Sequence, residues 1–413
     1  MTIGAAAAAE AAEAAARRSY GRLLSSLAWQ WRDIAAAEDA LAEAFALALQ
    51  RWPVDGIPDS PEGWLMTVSK RQLLTAARRQ RLADDPTLTV LWPTEHEPAP
   101  DNAPMADSRL KLMFVCTHPA IDAGVRSALM LQTVLGLEAA RIASAFLVKP
   151  EAMMKRLVRA KAKIKATRIR FEEPHPDEWP TRLSSVLEAI YGAYTLHWDS
   201  ADGGETHELA QEATYLAELV AAHLPEEPEA LGLLALLWFC EARRPARLGP
   251  DGIFVPLNLQ DTDRWRHPLI RQADECLHRA ASLHRPGPYQ LEAAIQAAHT
   301  RGMLSGRVPW PEIARLYEHL LMLSPTVGAR IGHAIAAAHA GNDWQLGLGL
   351  LDALHGEDIG SHQAWWAARA ELLARGENFD EARHAYSRAL ALTADPALRR
   401  WFEKKLEPRD GHP

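Results

Sequence analysis

An all-α fold is predicted for this chain. The composition is rich in Ala, Leu, Glu and Arg, which are good helix formers. Apolar residues recur at three- and four-residue spacing through most segments. From about residue 177 to 405, helical stretches alternate with short Pro/Gly breaks and show no convincing strand alternation. At 413 residues, 48% hydrophobic and 24% charged, the chain is long enough for two or three domains, each with its own core.

Taken in order, the Ala-rich stretch Gly4 to Ala16 carries Glu10 and Glu13 and has no basic segment ahead of it. It reads as an N-terminal tail (residues 1–16) and does not resemble a signal peptide. Residues 17–83 form a first helical unit. Leu23, Leu24, Leu27, Trp31 and Ile34 keep helical spacing. A second helix, Ala37 to Trp52, places Leu41, Phe45, Leu49 and Trp52 on one side. The segment PVDGIPDSPEG breaks it, and Asp59 and Ser60 stand in cap-like positions before Pro61, opening a third helix. That helix is basic toward its end, at Lys70, Arg71, Arg78, Arg79 and Arg81. Cations there are favoured by the helix macrodipole in any case, so charge alone does not mark a nucleic-acid surface.

Residues 84–107 change character, with Pro86, Pro93, Pro98, Pro100 and Pro104 among acidic side chains. This is an acidic linker, since Pro blocks helix continuation and little is available to bury. A second unit, residues 108–172, contains helices near Arg109 to Val115 and Asp122 to Thr133, then a helix, tight turn and helix from Leu137 to Arg170. In that pair Ala139, Ile142, Ala143 and Phe146 line one apolar face, and Pro150 suits the first position of the second helix. Met153, Leu157, Ala160 and Ile164 form its apolar stripe, with Lys155, Arg156, Arg159 and Lys163 roughly opposite. Ten Lys/Arg and a single Glu lie between Arg141 and Arg170, in a chain of formal net charge -8. Such a reversal suits a phosphate-facing surface, and a short turn between helices is how a recognition helix enters a major groove. A solvated basic helix fits the same pattern, because look-alike helix pairs are common.

Beyond the boundary at PheGluGluProHisPro, the last part (177–405) carries a repeat signal. Trp366, Ala370, Leu373, Ala382, Tyr386 and Ala389 fall at tetratricopeptide spacings, with Ala394 at the expected proline and Pro396 two residues late. A weaker match places Ile313, Tyr317, Leu320 and Pro325 at the spacing of another repeat's second helix and closing proline.

Several classes are excluded. The longest apolar run, Ala230 to Cys240, is far shorter than the roughly 20 residues of a membrane span, and a cytoplasmic location is expected. Cys116, Cys240 and Cys276 are scattered and odd in number, which argues against a disulfide framework or a zinc site. No Gly-rich phosphate loop, nucleophile elbow or paired-carboxylate constellation occurs, and DSADGGE reads as a turn rather than a calcium loop. No cofactor, metal or catalytic residue is therefore expected.

The order of units resembles the extracytoplasmic-function (ECF) sigma factors of bacterial RNA polymerase, in the subgroup with a tetratricopeptide-like C-terminal extension. DIAAAEDALAEAFALALQRWP is similar to the sigma region 2 helix that docks on the polymerase clamp, with Glu38, Asp39, Leu41, Glu43 and Phe45 matching. GWLMTVSKRQLLTAARRQR resembles the helix that captures the melted minus-10 element, and RLVRAKAKI corresponds to region 4, which reads the minus-35 element. SSVLEAIYGAYTLHW and the segments after it are similar to the subgroup's extension. The family's Gln is replaced by Ala42, its Asn and Asp by Arg71 and Thr75, and Glu205 and Thr206 follow the Asp202–Gly204 turn where Met-Arg is usual.

The resemblance implies core RNA polymerase and promoter DNA as partners, with a protein regulator at the extension. Minus-35 contacts would come from Lys149, Glu151, Ala152, Lys155, Arg156, Arg159 and Lys163, and minus-10 contacts from Lys70, Arg71, Arg78 and Arg79. Arg156 is the candidate for bidentate contact with guanine. Trp64 shares a face with Leu65, Val68 and Leu73, which favours a core anchor over a base-stacking platform. The departures leave open a sigma-like scaffold that no longer initiates transcription.

Overall fold

In a computed structural model, the structure describes residues 4–84, 108–146, 148–167, 169, 178–198, 205–354 and 359–407. Among these residues every regular element is helical, and the one β feature is an isolated bridge between Leu248 and Phe254. The chain divides into two compact units, Met1–Leu196 and His197–Pro413. Of the acidic linker, Asp84 forms the end of the third helix, and the rest of it and the Asp202–Gly204 turn lie outside the described residues.

The first unit begins with α1 (Ala5–Trp31), α2 (Ile34–Asp55) and α3 (Pro61–Asp84), which pack on one another. Helix α1 runs through the alanines read above as a tail. Ala gives up almost no side-chain entropy on entering a helix, and Ala8, Ala12 and Ala15 are buried along one side. Arg32 ends α1 in a left-handed conformation, and the Asp33 carboxylate caps α2 by accepting from Ala36 N at 3.0 Å. Helix α2 also continues one turn past the expected break at Pro53 and stops at Gly56, whose φ of +92° suits glycine. Ser60 caps α3, accepting from Gly63 N at 3.2 Å.

Helices α4 (Ser108–Cys116), α5 (Ala123–Thr133), α6 (Ala139–Ala145), α7 (Pro150–Ala166) and α8 (Trp179–Trp198) follow. Helix α4 is buried along nearly its whole length, including Arg109 and Lys111. Although α8 stands after the boundary at residues 171–176, it packs with the first unit. Its Arg182 donates to Phe114 O, its Glu188 accepts from Ser127 Oγ at 2.9 Å, and Trp179 lies 4.5 Å from the Phe114 ring.

The second unit holds α9 (Glu205–His223), α10 (Pro228–Arg243), α11 (His267–Ser282), α12 (Pro288–Ser305), α13 (Trp310–Leu323), α14 (Val327–Gly341), α15 (Trp344–Asp352), α16 (Gln363–Arg375), α17 (Phe379–Ala391) and α18 (Pro396–Leu406). Most pack on their sequence neighbours, and α12 reaches past α11 to lie chiefly against α10. Its apolar interior accordingly falls into successive clusters, around Phe239, around Ile313 and around Leu372. The expected pair at the end forms as α16 and α17, with Ala370, Leu373, Ala382, Tyr386 and Ala389 buried between them. One long-range tie joins the last helix to the turn after α10. Arg400 donates to Asp251 O and Gly252 O at 3.2 and 2.9 Å, and Phe254 meets Trp401 edge-on.

Candidate nucleic-acid and polymerase interface

The expected pair of helices joined by a short turn is α6 and α7. Val148 N donates to Ala143 O at 3.0 Å across the turn, and Pro150 occupies the first turn of α7. Met153, Leu157, Ala160 and Ile164 are buried as the periodicity required. Because those four side chains anchor one face, Lys149, Glu151, Ala152, Lys155, Arg156, Arg159 and Lys163 are left exposed. Arg156, Arg159 and Lys163 line one side of a cleft of about 680 Å³, and Asp122 and Gly124 at the start of α5 line the other. The Asp122 carboxylate caps α5 through Gly124 N at 3.0 Å. A helix N-terminus facing three cations favours an anion, and a nucleic-acid phosphate matches that chemistry.

Lys161 and Lys165 were not singled out by pattern. At 100° per residue they fall on the other side of the buried stripe from Arg156 and Lys163. Both meet α2: Lys161 Nζ donates to the two Glu38 oxygens at 2.6 and 2.5 Å, and Lys165 pairs with Asp33 at 3.0 Å. Burial pushes the Glu38 carboxyl above its ordinary pKa, and the Lys161 ammonium opposes that shift. Tyr20 is pushed up to about 12 by burial, with the Glu38 charge adding to it. No local signal could have paired residues this far apart in the chain.

The polymerase-facing candidates on α2 separate into two groups. Asp39 and Glu43 are exposed, Phe45 is half-buried and Glu38 is engaged by Lys161. Leu41 is fully buried. It anchors α2 to the rest of the unit and has no surface left for a partner, which corrects its place among the contact residues. Ala42, where the family's Gln was expected, is exposed.

On α3, Arg71 and Arg78 are exposed and Lys70 is half-buried, while the side chain of Arg79 lies outside the described residues. Trp64 is half-buried and meets Trp52 edge-on at 5.6 Å, so it packs as an anchor. Thr75 spends its hydroxyl on Arg71 O at 2.8 Å. Among the described residues no group of three or more His, Cys, Asp or Glu converges as a metal site, and no helix is long and apolar enough to cross a membrane.

Two family models match the chain. Sigma-70 region 2 covers residues 17–83, which are most of α1 to α3. A family of unknown function (DUF6596) covers residues 182–281, from α8 to α11. No solved structure matches. An uncharacterized protein, R00370, of Rhizobium meliloti (strain 1021) is 34% identical over 392 residues, spanning 93% of this chain and 92% of that one. The chain therefore belongs to the same family as the Rhizobium protein, and its sigma-70 region 2 domain makes it a sigma-factor-like protein.

Proposed function

We propose that this chain is an ECF-type sigma factor, which binds core RNA polymerase and directs promoter-specific initiation. Region 2 would engage the minus-10 element and α7 the minus-35 element. The observation that carries the reading is a basic helix-turn-helix with Lys155, Arg156, Arg159 and Lys163 exposed on one face, in the same chain as a matched region 2. Phosphate contacts by the lysines would supply salt-dependent affinity, and base-edge contacts led by Arg156 would supply choice. The role has no catalytic residue of its own. It places the protein in the cytoplasm, where polymerase and promoter are.

The C-terminal helical unit would act as a built-in regulatory module, since stacked helical pairs present surfaces to a protein partner. Removing the residues that follow α8, from about 199 on, should then change promoter activity or partner binding. No change in either would defeat that role.

Run-off transcription with purified bacterial core polymerase, on promoters selected from a random pool, tests the whole reading. A sigma factor yields promoter-dependent transcripts. The second reading, a scaffold that has lost initiation, is favoured by Ala42 standing exposed where a hydrogen-bonding Gln was expected and by Thr75 turning inward on its own helix. That protein would bind a partner and yield no transcript.

A further inference from the structure

Successive helix pairs of the second unit are joined by a ladder of planar side chains. The second helix of three pairs starts on an aromatic residue: Trp310 opens α13, Trp344 opens α15 and Phe379 opens α17. The His339 imidazole near the end of α14 stacks on the Trp310 ring at 4.1 Å, with 11° between the planes. The Arg375 guanidinium at the end of α16 lies over the Trp344 ring at 5.6 Å. Each of these two rings is thus covered by a planar nitrogen group from the next pair, a stacking that aromatic faces favour. His339 follows Trp310 by 29 residues, and Arg375 follows Trp344 by 31. Phe379 is the third ring in the series. It is 59% exposed, an aromatic face without a cover among the described residues.

We propose that Phe379 is the docking site of the segment that follows α18, residues 408–413, and that the Arg409 guanidinium covers its ring. Arg409 follows Phe379 by 30 residues, between the two spacings already in the ladder. The direction of α18 delivers the segment to the right place. Arg399 Nη1 donates to Leu390 O at 3.2 Å, and six residues later the Lys405 ammonium lies 5.9 Å over the Tyr386 ring, so α18 runs back along α17 toward its start. Phe379 and Tyr386 share a face of α17, two turns or about 10 Å apart. Arg409 stands four residues beyond Lys405 and can reach about 13 Å from it in extended chain. Charge favours the same occupant. Glu377, Asp380 and Glu381 are exposed beside Phe379, a setting that attracts a guanidinium and repels an acidic or purely apolar partner. An array of helix pairs also needs a polar outer face at its end, and Arg409 supplies one where the next pair is absent.

The test uses the full chain with 4-fluorophenylalanine in place of Phe379. The fluorine's solvent-isotope shift between light and heavy water reports how far water reaches the ring. It should be small in the parent and at least doubled by Arg409→Ala. Arg383→Ala removes an exposed cation one turn along α17 and should leave it as it was. In the chain with its ordinary Phe379, Arg409→Ala should lower the melting temperature of the second unit by about 2 °C. In a Phe379→Ala background the same substitution should lower it no further, because the two groups act as one contact.

A shift as large in the parent as in Arg409→Ala means a bare ring and overturns the docking. A shift that responds to Arg383→Ala instead assigns the cover to α17 itself and overturns it too. A small shift that grows on dilution seats a second copy of the chain on Phe379 in place of the segment. Additive losses in melting temperature mean that Arg409 acts elsewhere.

Discussion

Basic residues are used in opposite ways in the two units. On α7, Lys155, Arg156, Arg159 and Lys163 project from one face, and their neighbours are a cleft and solvent. In the second unit a group of cations toward the chain's end lies on aromatic rings: Arg369 over Trp365 and Arg388 over Trp366, both at 5.4 Å, Arg375 over Trp344 at 5.6 Å, and Lys405 over Trp401 at 5.3 Å. Arg369 also pairs with Asp352, and Arg375 with Glu371 at 3.1 Å. An arginine whose guanidinium is spent on an indole stabilises a helix pair, whereas one held out by a buried stripe beneath it is available to phosphate. Charge in the sequence is thus a poor guide to a nucleic-acid surface until its neighbours are known.

The comparison breaks most severely if the second unit is not held by its aromatic clusters. Phe402 on α18 is 1% exposed and packs with Tyr386 and Trp401. Phe402→Ala should cost about 3–5 kcal/mol. Thermal unfolding should show the loss in the second unit, with the DNA binding proposed for the first unit unchanged below the transition. Equal destabilisation of both units would mean that they do not fold independently.

A second aromatic column tests the same unit through pH. Trp310 stacks on His339 at 4.1 Å and meets His299 at 5.4 Å, and His339 meets Trp344 at 5.2 Å. Burial lowers both imidazoles to about 4, with Arg243 adding to the effect at His299 and Arg375 at His339. Each folded-state pKa lies below the unfolded value near 6.5, so the unfolded chain takes up protons first as pH falls. Stability from these rings is complete above about pH 6.5 and is lost progressively toward pH 4, by on the order of a few kcal/mol for His299. Denaturant midpoints between pH 7 and 4 should fall along that curve, and His299→Phe should flatten it. An unchanged slope in that variant would remove His299 as a cause.

Where local periodicity decided the structure, it was legible. Met153, Leu157, Ala160 and Ile164 form the buried stripe, and Ala370, Leu373, Ala382, Tyr386 and Ala389 are buried in the α16–α17 pair, because burial follows the helical period. The alanine stretch before residue 17 was hidden for the opposite reason. It has no apolar contrast to reveal a face, yet Ala propensity alone sustains the helix. Gly21 reads as a weak point in α1 until the Val134 carbonyl is seen against it. Lys161 reads as one more surface cation until Glu38 is placed beside it. The exposure of the cations on α7 followed from the stripe beneath them, but the pairing of Lys161 with Glu38 needed the tertiary structure, since only folding brings the two together.

The smallest expected effect is the sharpest test of the two uses of charge. Arg388 is exposed and lies over Trp366, so Arg388→Ala should cost the second unit about 0.5–1 kcal/mol. It should leave the salt dependence of promoter binding where it was. Lys163→Ala makes a comparable change of charge on α7 and should do the reverse. Stability should shift by no more than about 0.5 kcal/mol, whereas log K against log salt should flatten by about one unit for every promoter sequence alike. Arg156→Ala adds the base-reading component, weakening one minus-35 position by about 1–3 kcal/mol relative to the others. If Arg388→Ala flattens the salt slope as much as Lys163→Ala does, the second unit touches the nucleic acid as well. The division between cations spent on aromatic rings and cations offered to phosphate would then fail at its most exposed example.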